Sequence, residues 1–308
     1  MDNIHYLKVI NREVITNPVE YIGKCERRYQ SMLHQYVREV IARPGANKII
    51  MLSGPSSSGK TTGANKMARL ISRMGHNAYV ISLDDFYLDR NLVPKGKDGT
   101  QDFETIYALN LDLIRDTLRG LGNHGEADLP SFDFVSGLRT DNSMHLKLLP
   151  GDVVIVEGLH AINPIITDCL SGENLVKMYV STASDILDDD GSIFFSRRDV
   201  RFLRRMIRDY QFRGSSVENT YNMWPKVVSG EMQYLNPLID TADYIIDSLH
   251  PYEICAYKDT ALTLLSELSE SHPMYENAVS LSERLEKTTR VNKDIIPKTS
   301  LLREFVGP

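Results

Sequence analysis

The run "KIIMLSGPSSSGKTT", residues 48–62, constrains this chain more than any other stretch. "KIIMLS" reads as a buried strand, and it passes without a gap into Gly54-Pro55-Ser56-Ser57-Ser58-Gly59-Lys60-Thr61-Thr62. The segment fits G-x-x-x-x-G-K-[ST], in which glycines let the backbone curl so that successive N–H groups point inward at phosphate oxygens. A helix opening at Lys60 adds the positive end of its dipole. Lys60 is then placed for the β- and γ-phosphates and the Thr61 hydroxyl for Mg²⁺. A serine-rich linker would need neither the strand before nor the helix after. The stretch from Gly54 to Thr62 is therefore read as the cradle of a nucleoside triphosphate.

The remaining pattern is α/β. Asn17-Pro18 with Glu20 reads as a helix start, and apolar residues at helical spacing continue to Pro44-Gly45. "AYVISL" (78–83), "DVVIVEG" (152–158), "LVKMYVS" (175–181) and "ADYIIDS" (242–248) are further strands, with helical segments between them. Strands alternating with helices predict a mainly parallel sheet of five strands. Residues 88–102 read as a mobile polar loop, "LPSFDFVSGLRT" and "MHLKLLPG" as a hairpin or paired extended segments, and the tail after about 251 as helical. The expected organisation is an N-terminal segment and helix (1–45), a central domain (46–250) and a C-terminal extension packed on it (251–308).

Composition narrows the class. A net charge of −6 speaks against broad nucleic-acid binding. The longest apolar runs are too short to span a bilayer, and "MDNIHYLKVI" does not read as a secretory signal. Three scattered cysteines (Cys25, Cys169, Cys255) fit a reducing cytoplasm, and with eight histidines they form no metal-ligand spacing. A homo-oligomer is left open.

Three features beyond the cradle carry chemistry. "SLDDFYLDR" sets Asp84 and Asp85 at the carboxyl end of a strand, where parallel sheets bind ligands. An aspartate there can take a proton from an attacking hydroxyl or help hold Mg²⁺; alone it reads equally as a turn or cap. Glu157 ends "VIVE" and can reach the metal directly or through water. "RRDVRFLRRMIRDYQFRG" puts Arg201, Arg204, Arg205 and Arg208 on one helical face, with Arg213 near its end, suited to a negatively charged transferred group. Trp224 is read as packing at a helix end, and Asp188-Asp189-Asp190 as a solvated turn.

Phosphate loop, "DDFY", "FDFVSGLR", "VEGLHA" and "RRMIRDYQFRG", in that order, resemble the uridine kinase/phosphoribulokinase family across roughly residues 48–248. "TYNMWPKVVSGEMQYLNPLIDTAD" and "SLLREFVG" resemble a bacterial nucleoside kinase branch of it. The resemblance implies a P-loop NTPase fold of the nucleoside monophosphate kinase type, with a substrate-side hairpin and an arginine-rich lid helix. It implies ATP and Mg²⁺, and a small-molecule acceptor. Asp84 matches the general base, and Lys60, Arg208 and Arg213 the groups that offset charge. Thr61, Asp84 and Glu157 match the metal positions; Tyr87, Phe103, Glu104, Asp133, Arg139 and Arg205 match the substrate side. The family's "YDF..HSR" is altered here to Phe132 and Gly137, and a further lid arginine to Ser215. The chemistry expected is γ-phosphate transfer to a hydroxyl, with a nucleoside such as uridine or cytidine as leading acceptor. A sugar phosphate, glycerate or a pantothenate-like alcohol is the alternative, and an ATP-binding regulator without turnover is another.

Overall fold

Five parallel strands in the order β10-β7-β2-β6-β3 form the central sheet of the computed structural model, which describes residues 4–45, 47–96, 99–170 and 174–307. The chain opens with β1 (His5–Tyr6), α1 (Leu7–Thr16), α2 (Pro18–Ala42), β2 (Lys48–Ser53), α3 (Lys60–Arg73) and β3 (Ala78–Ser82). It continues through α4 (Leu111–Arg119), the hairpin β4 (Glu126–Asp133) and β5 (Leu138–Lys147), β6 (Val153–Glu157), α5 (Pro164–Thr167) and β7 (Leu175–Ser181). It ends with β8 (Ile186–Leu187), β9 (Ile193–Phe195), α6 (Arg197–Arg213), α7 (Val217–Gly230), β10 (Tyr244–Asp247), α8 (Glu253–Ser266), α9 (Tyr275–Glu286) and α10 (Arg303–Val306).

The strands are apolar throughout because both faces of the sheet are covered. Ile50, Leu52, Val153 and Ile155 enter one core, while Ile49, Met51, Val154 and Val156 enter the other, the period of two expected of a strand. In α2, Ile22, Cys25, Tyr29, Leu33, Val37 and Val40 form the buried stripe. The register sets Glu157 opposite Leu52 on one side and Ser82 on the other. The carboxyl ends of three strands therefore converge on one spot, and the site is built there.

Several elements differ from the sequence reading. The hairpin turns within "FVSG" rather than between the two segments quoted, with Gly137 at φ +72. Helix α7 runs through Pro225, so Trp224 sits inside a helix, against Phe202 and Arg201. Strand β1 pairs in parallel with β8, outside the main sheet, a two-residue contact too short to leave a periodic signal. Of the loop at 88–102, Lys97 and Asp98 lie outside the described residues; Lys95 bridges to Gln101. Among the described residues no helix is long and apolar enough to cross a membrane.

Candidate active site

One cavity of about 760 Å³ above the sheet joins the glycine-rich loop to the hairpin. On the loop side, Gly59 takes φ +87 and Ser57 takes φ +60, the left-handed turns that bend the loop round its centre. A Cβ on Gly54 would lie 2.1 Å from the Val180 carbonyl oxygen, so glycine is required there. The buried Ser57 and Ser58 hydroxyls have no hydrogen-bond partner among the described residues. Unpaired buried hydroxyls beside a helix N-terminus fit an oxyanion ligand, since leaving them unpaired otherwise costs about 1–3 kcal/mol each. Lys60 donates to the Pro55 carbonyl (3.1 Å) across the loop, and burial lowers its pKa against the opposing pull of Glu157 and Asp84.

The metal candidates meet around Glu157. Thr61 Oγ1 donates to Glu157 Oε1 at 3.0 Å, and Ser82 Oγ to the same oxygen at 3.2 Å. Among the described residues no three His, Cys, Asp or Glu side chains gather closely enough to hold a metal alone. That donor set of one hydroxyl and one carboxylate fits Mg²⁺ shared with phosphate oxygens and water, which is how this ion is usually held.

The two adjacent aspartates have separate tasks. Asp85 accepts the Phe132 N–H (3.3 Å) and ties the hairpin to the end of β3. Asp84 is exposed to the cleft and lines it, and the surrounding protein, by displacing water from the carboxylate, raises its pKa; Lys60 opposes the shift and Asp85 adds to it. Glu104 is likewise pushed up by burial, with Arg205 and Lys60 opposing. Its backbone carbonyl accepts a hydrogen bond from His160 Nε2 (2.9 Å). Burial lowers the His160 pKa to about 4, so a neutral ring with its proton on Nε2 holds this acid in place. Tyr87, Phe103, Phe132 and Phe134 line the same end, with neighbouring ring centroids 5.1–5.9 Å apart. Together they make an aromatic wall facing two carboxylates.

Not every expected substrate contact lies in the cavity. Asp133 is exposed and accepts the Val135 N–H (2.9 Å), capping the hairpin turn. Arg139 donates to the Tyr87 carbonyl (3.1 Å) and pairs with Asp141 at 2.7 Å, bracing the wall from behind. The space beside Gly137 is filled by Arg90, whose side chain would meet a Cβ there at 2.8 Å and donates to the Phe134 carbonyl at 2.7 Å.

The arginine helix is divided by burial. Arg201 pairs with Glu231 (2.5 Å) and Arg204 with Glu253 (2.6 Å), both turned into the core instead of over the phosphates. Arg205, Arg208 and Arg213 line the cavity, and one buried carboxylate, Asp209, lies 3.2, 2.8 and 3.6 Å from them. Arg205 also donates to Ser56 Oγ at 2.8 Å. Asp209 positions three cations without touching the cavity itself. Asp209→Asn is expected to lower kcat about 10- to 100-fold by loosening that array. Steady-state kinetics check this, at a temperature where thermal unfolding shows the variant fully folded.

Sequence reasoning missed one acid altogether. Glu304, from α10, accepts the Thr62 hydroxyl at 2.5 Å and lines the cavity beside Lys60. A Cβ on Gly59 would lie 2.6 Å from Leu301 Cδ1, so the C-terminal segment lies directly on the loop. Nothing in "SLLREFVG" signals such a contact, because it spans 242 residues of chain.

Comparison with known proteins gives a consistent picture. Residues 49–254 match the family described as "Phosphoribulokinase / Uridine kinase family". A uridine kinase of Staphylococcus aureus (strain JH9) is 30% identical over 203 residues, 65% of this chain and 87% of that protein. Among solved structures, a putative fructose transport system kinase from Silicibacter sp. TM1040 superimposes with a TM-score of 0.50 at 18% identity, covering 69% of this chain and 98% of that one. That likeness speaks for the fold alone.

Proposed function

We propose that this chain, which belongs to the phosphoribulokinase/uridine kinase family, transfers the γ-phosphate of ATP to a hydroxyl of a nucleoside. It is a P-loop kinase of small metabolites. The supporting observation is a single cavity in which an aromatic wall and two raised-pKa carboxylates, Asp84 and Glu104, face the phosphate cradle. A flat base suits the wall, and adjacent sugar hydroxyls suit the acid at its edge.

In this reading Asp84 accepts the proton of the attacking hydroxyl. Lys60, Arg205, Arg208 and Arg213 offset charge on the transferred group, and the backbone N–H groups of 54–62 hold the phosphates. Thr61 and Glu157 would hold Mg²⁺, with Asp84 as a further candidate ligand from the same cavity. When bound, the ion would supply charge neutralisation at the terminal phosphates. Glu104, fixed through His160, grips the sugar. Residues 46–250 carry all of these groups, and 251–308 support them.

The test is phosphate transfer from Mg-ATP to a pooled set of nucleosides, sugar phosphates, glycerate and pantothenate, read by product mass. A phosphorylated nucleoside is expected. Glu104→Gln should raise the acceptor KM about 10- to 100-fold while leaving the KM for ATP unchanged, the effect of losing a charged hydrogen bond. One observation favours the other acceptors: the Arg90 guanidinium lines the cavity with no carboxylate within ion-pairing distance among the described residues, which suits an anionic acceptor. A product from that group alone overturns the nucleoside assignment.

A further inference from the structure

Behind Glu304, and bordered by Thr62 at the end of the glycine-rich loop, lies a second concavity. It occupies about 400 Å³ between α3 and the C-terminal segment 298–304, and Glu304 lines both it and the active-site cavity. Lys66, Arg69 and Arg73 face it from α3 at spacings of three and four residues, which put them on one side of the helix. Lys298 and Arg303 face them from the opposite wall.

These charges are not spent on ion pairs. Among the described residues none of the five cations has a carboxylate within ion-pairing distance. Arg303 donates its guanidinium to the main-chain carbonyls of Lys293, Ile296 and Gly307, which anchors the segment but leaves the charge uncompensated. Lys66 donates to the Thr299 carbonyl, and burial lowers its pKa, Glu26 opposing and Arg69 adding to the shift. Glu26 itself is buried and takes hydrogen bonds from Tyr252 and Ser300. Glu304 is the one acid among the described residues lining the groove, and Thr62 already engages it. Five cations against one carboxylate is a strong local excess in a chain of net charge −6. A concave surface lined by one sign of charge concentrates ions of the other sign.

We propose that this groove is a second anion site, for a phosphorylated small molecule, distinct from the phosphate cradle. Its volume suits a ligand of nucleotide size. A nucleic acid would need a basic surface continuing beyond the groove, and the acidic whole does not supply one.

The experiment is calorimetric titration of the full chain with inorganic tripolyphosphate, without acceptor, so that it is independent of which hydroxyl is phosphorylated. The wild type is expected to bind two equivalents. The double variant Arg69→Gln/Arg73→Gln, altered only at exposed positions, should bind one, and ATP affinity should stay within about twofold of wild type. Lys60→Ala should also bind one, the equivalent that the double variant loses. A single equivalent in the wild type, abolished by Lys60→Ala, overturns the proposal. So does a second equivalent that survives in the double variant, or a loss of ATP affinity there, which would make the groove part of the ATP site.

Discussion

Asp84→Asn is expected to lower kcat about 10²- to 10⁴-fold, the usual weight of a positioned general base, with ATP affinity retained. Asparagine keeps the shape but cannot take the proton. Removing a negative charge from the floor of the cavity should, if anything, favour the phosphates. The pH profile separates a base from a spectator. Burial raises the Asp84 pKa above 3.8, and the base must be ionised, so activity should rise as pH climbs through that raised value. The acid limb from this group should vanish in the variant. Stability carries the same sign. A raised folded-state pKa means the protonated form is favoured in the folded chain, a contribution lost as pH rises through that pKa. At neutral pH the wild type bears this unfavourable charge, so Asp84→Asn should melt no lower than wild type. Full transfer activity in the variant would remove Asp84 as the base.

The contrast between what was legible and what was not follows from distance along the chain. The loop at 54–62 is a local signal, since glycines, lysine and threonines act on one ligand through one turn of backbone. The buried strands read as apolar runs for an equally local reason, being covered on both faces. Asp84 and Glu157 could be located because each lies at or just past the carboxyl end of its strand. Arg201 and Arg204 could not be sorted from Arg205 and Arg208, since helical periodicity puts all four on the same side. Their partners, Glu231 and Glu253, lie 30 and 49 residues on. Burial of a charge depends on the partner that arrives, and composition does not show that. Asp133 is the converse case: a polar residue in a familiar hairpin, spent on the turn it caps. Glu304 lies beyond any local pattern, because the surface it meets is assembled from the opposite end of the fold.

That division of the arginines makes the interior pair as consequential as the proposed base. Arg204 and Glu253 are both 0% exposed and joined by two hydrogen bonds of 2.6 and 2.8 Å. Burial alone would depress the Arg204 pKa, and the Glu253 carboxylate outweighs it, holding the guanidinium charged. The same guanidinium donates to the Ser57 carbonyl (3.3 Å) and to Ser248 Oγ (3.1 Å). It thereby supports the left-handed turn at Ser57 from below. Glu253→Gln leaves a buried cation short of its counter-charge, and should cost about 3–5 kcal/mol in urea unfolding. Replacing the pair together, Arg204→Met with Glu253→Leu, removes both charges and should recover most of that stability. It should not recover the cradle, because the Ser57 carbonyl has lost its donor. ATP binding is therefore expected to remain weakened in the refolded double variant. A single variant as stable as wild type would mean that the pair is not sealed from water. A double variant with normal ATP affinity would mean that the loop holds its curve without help from α6.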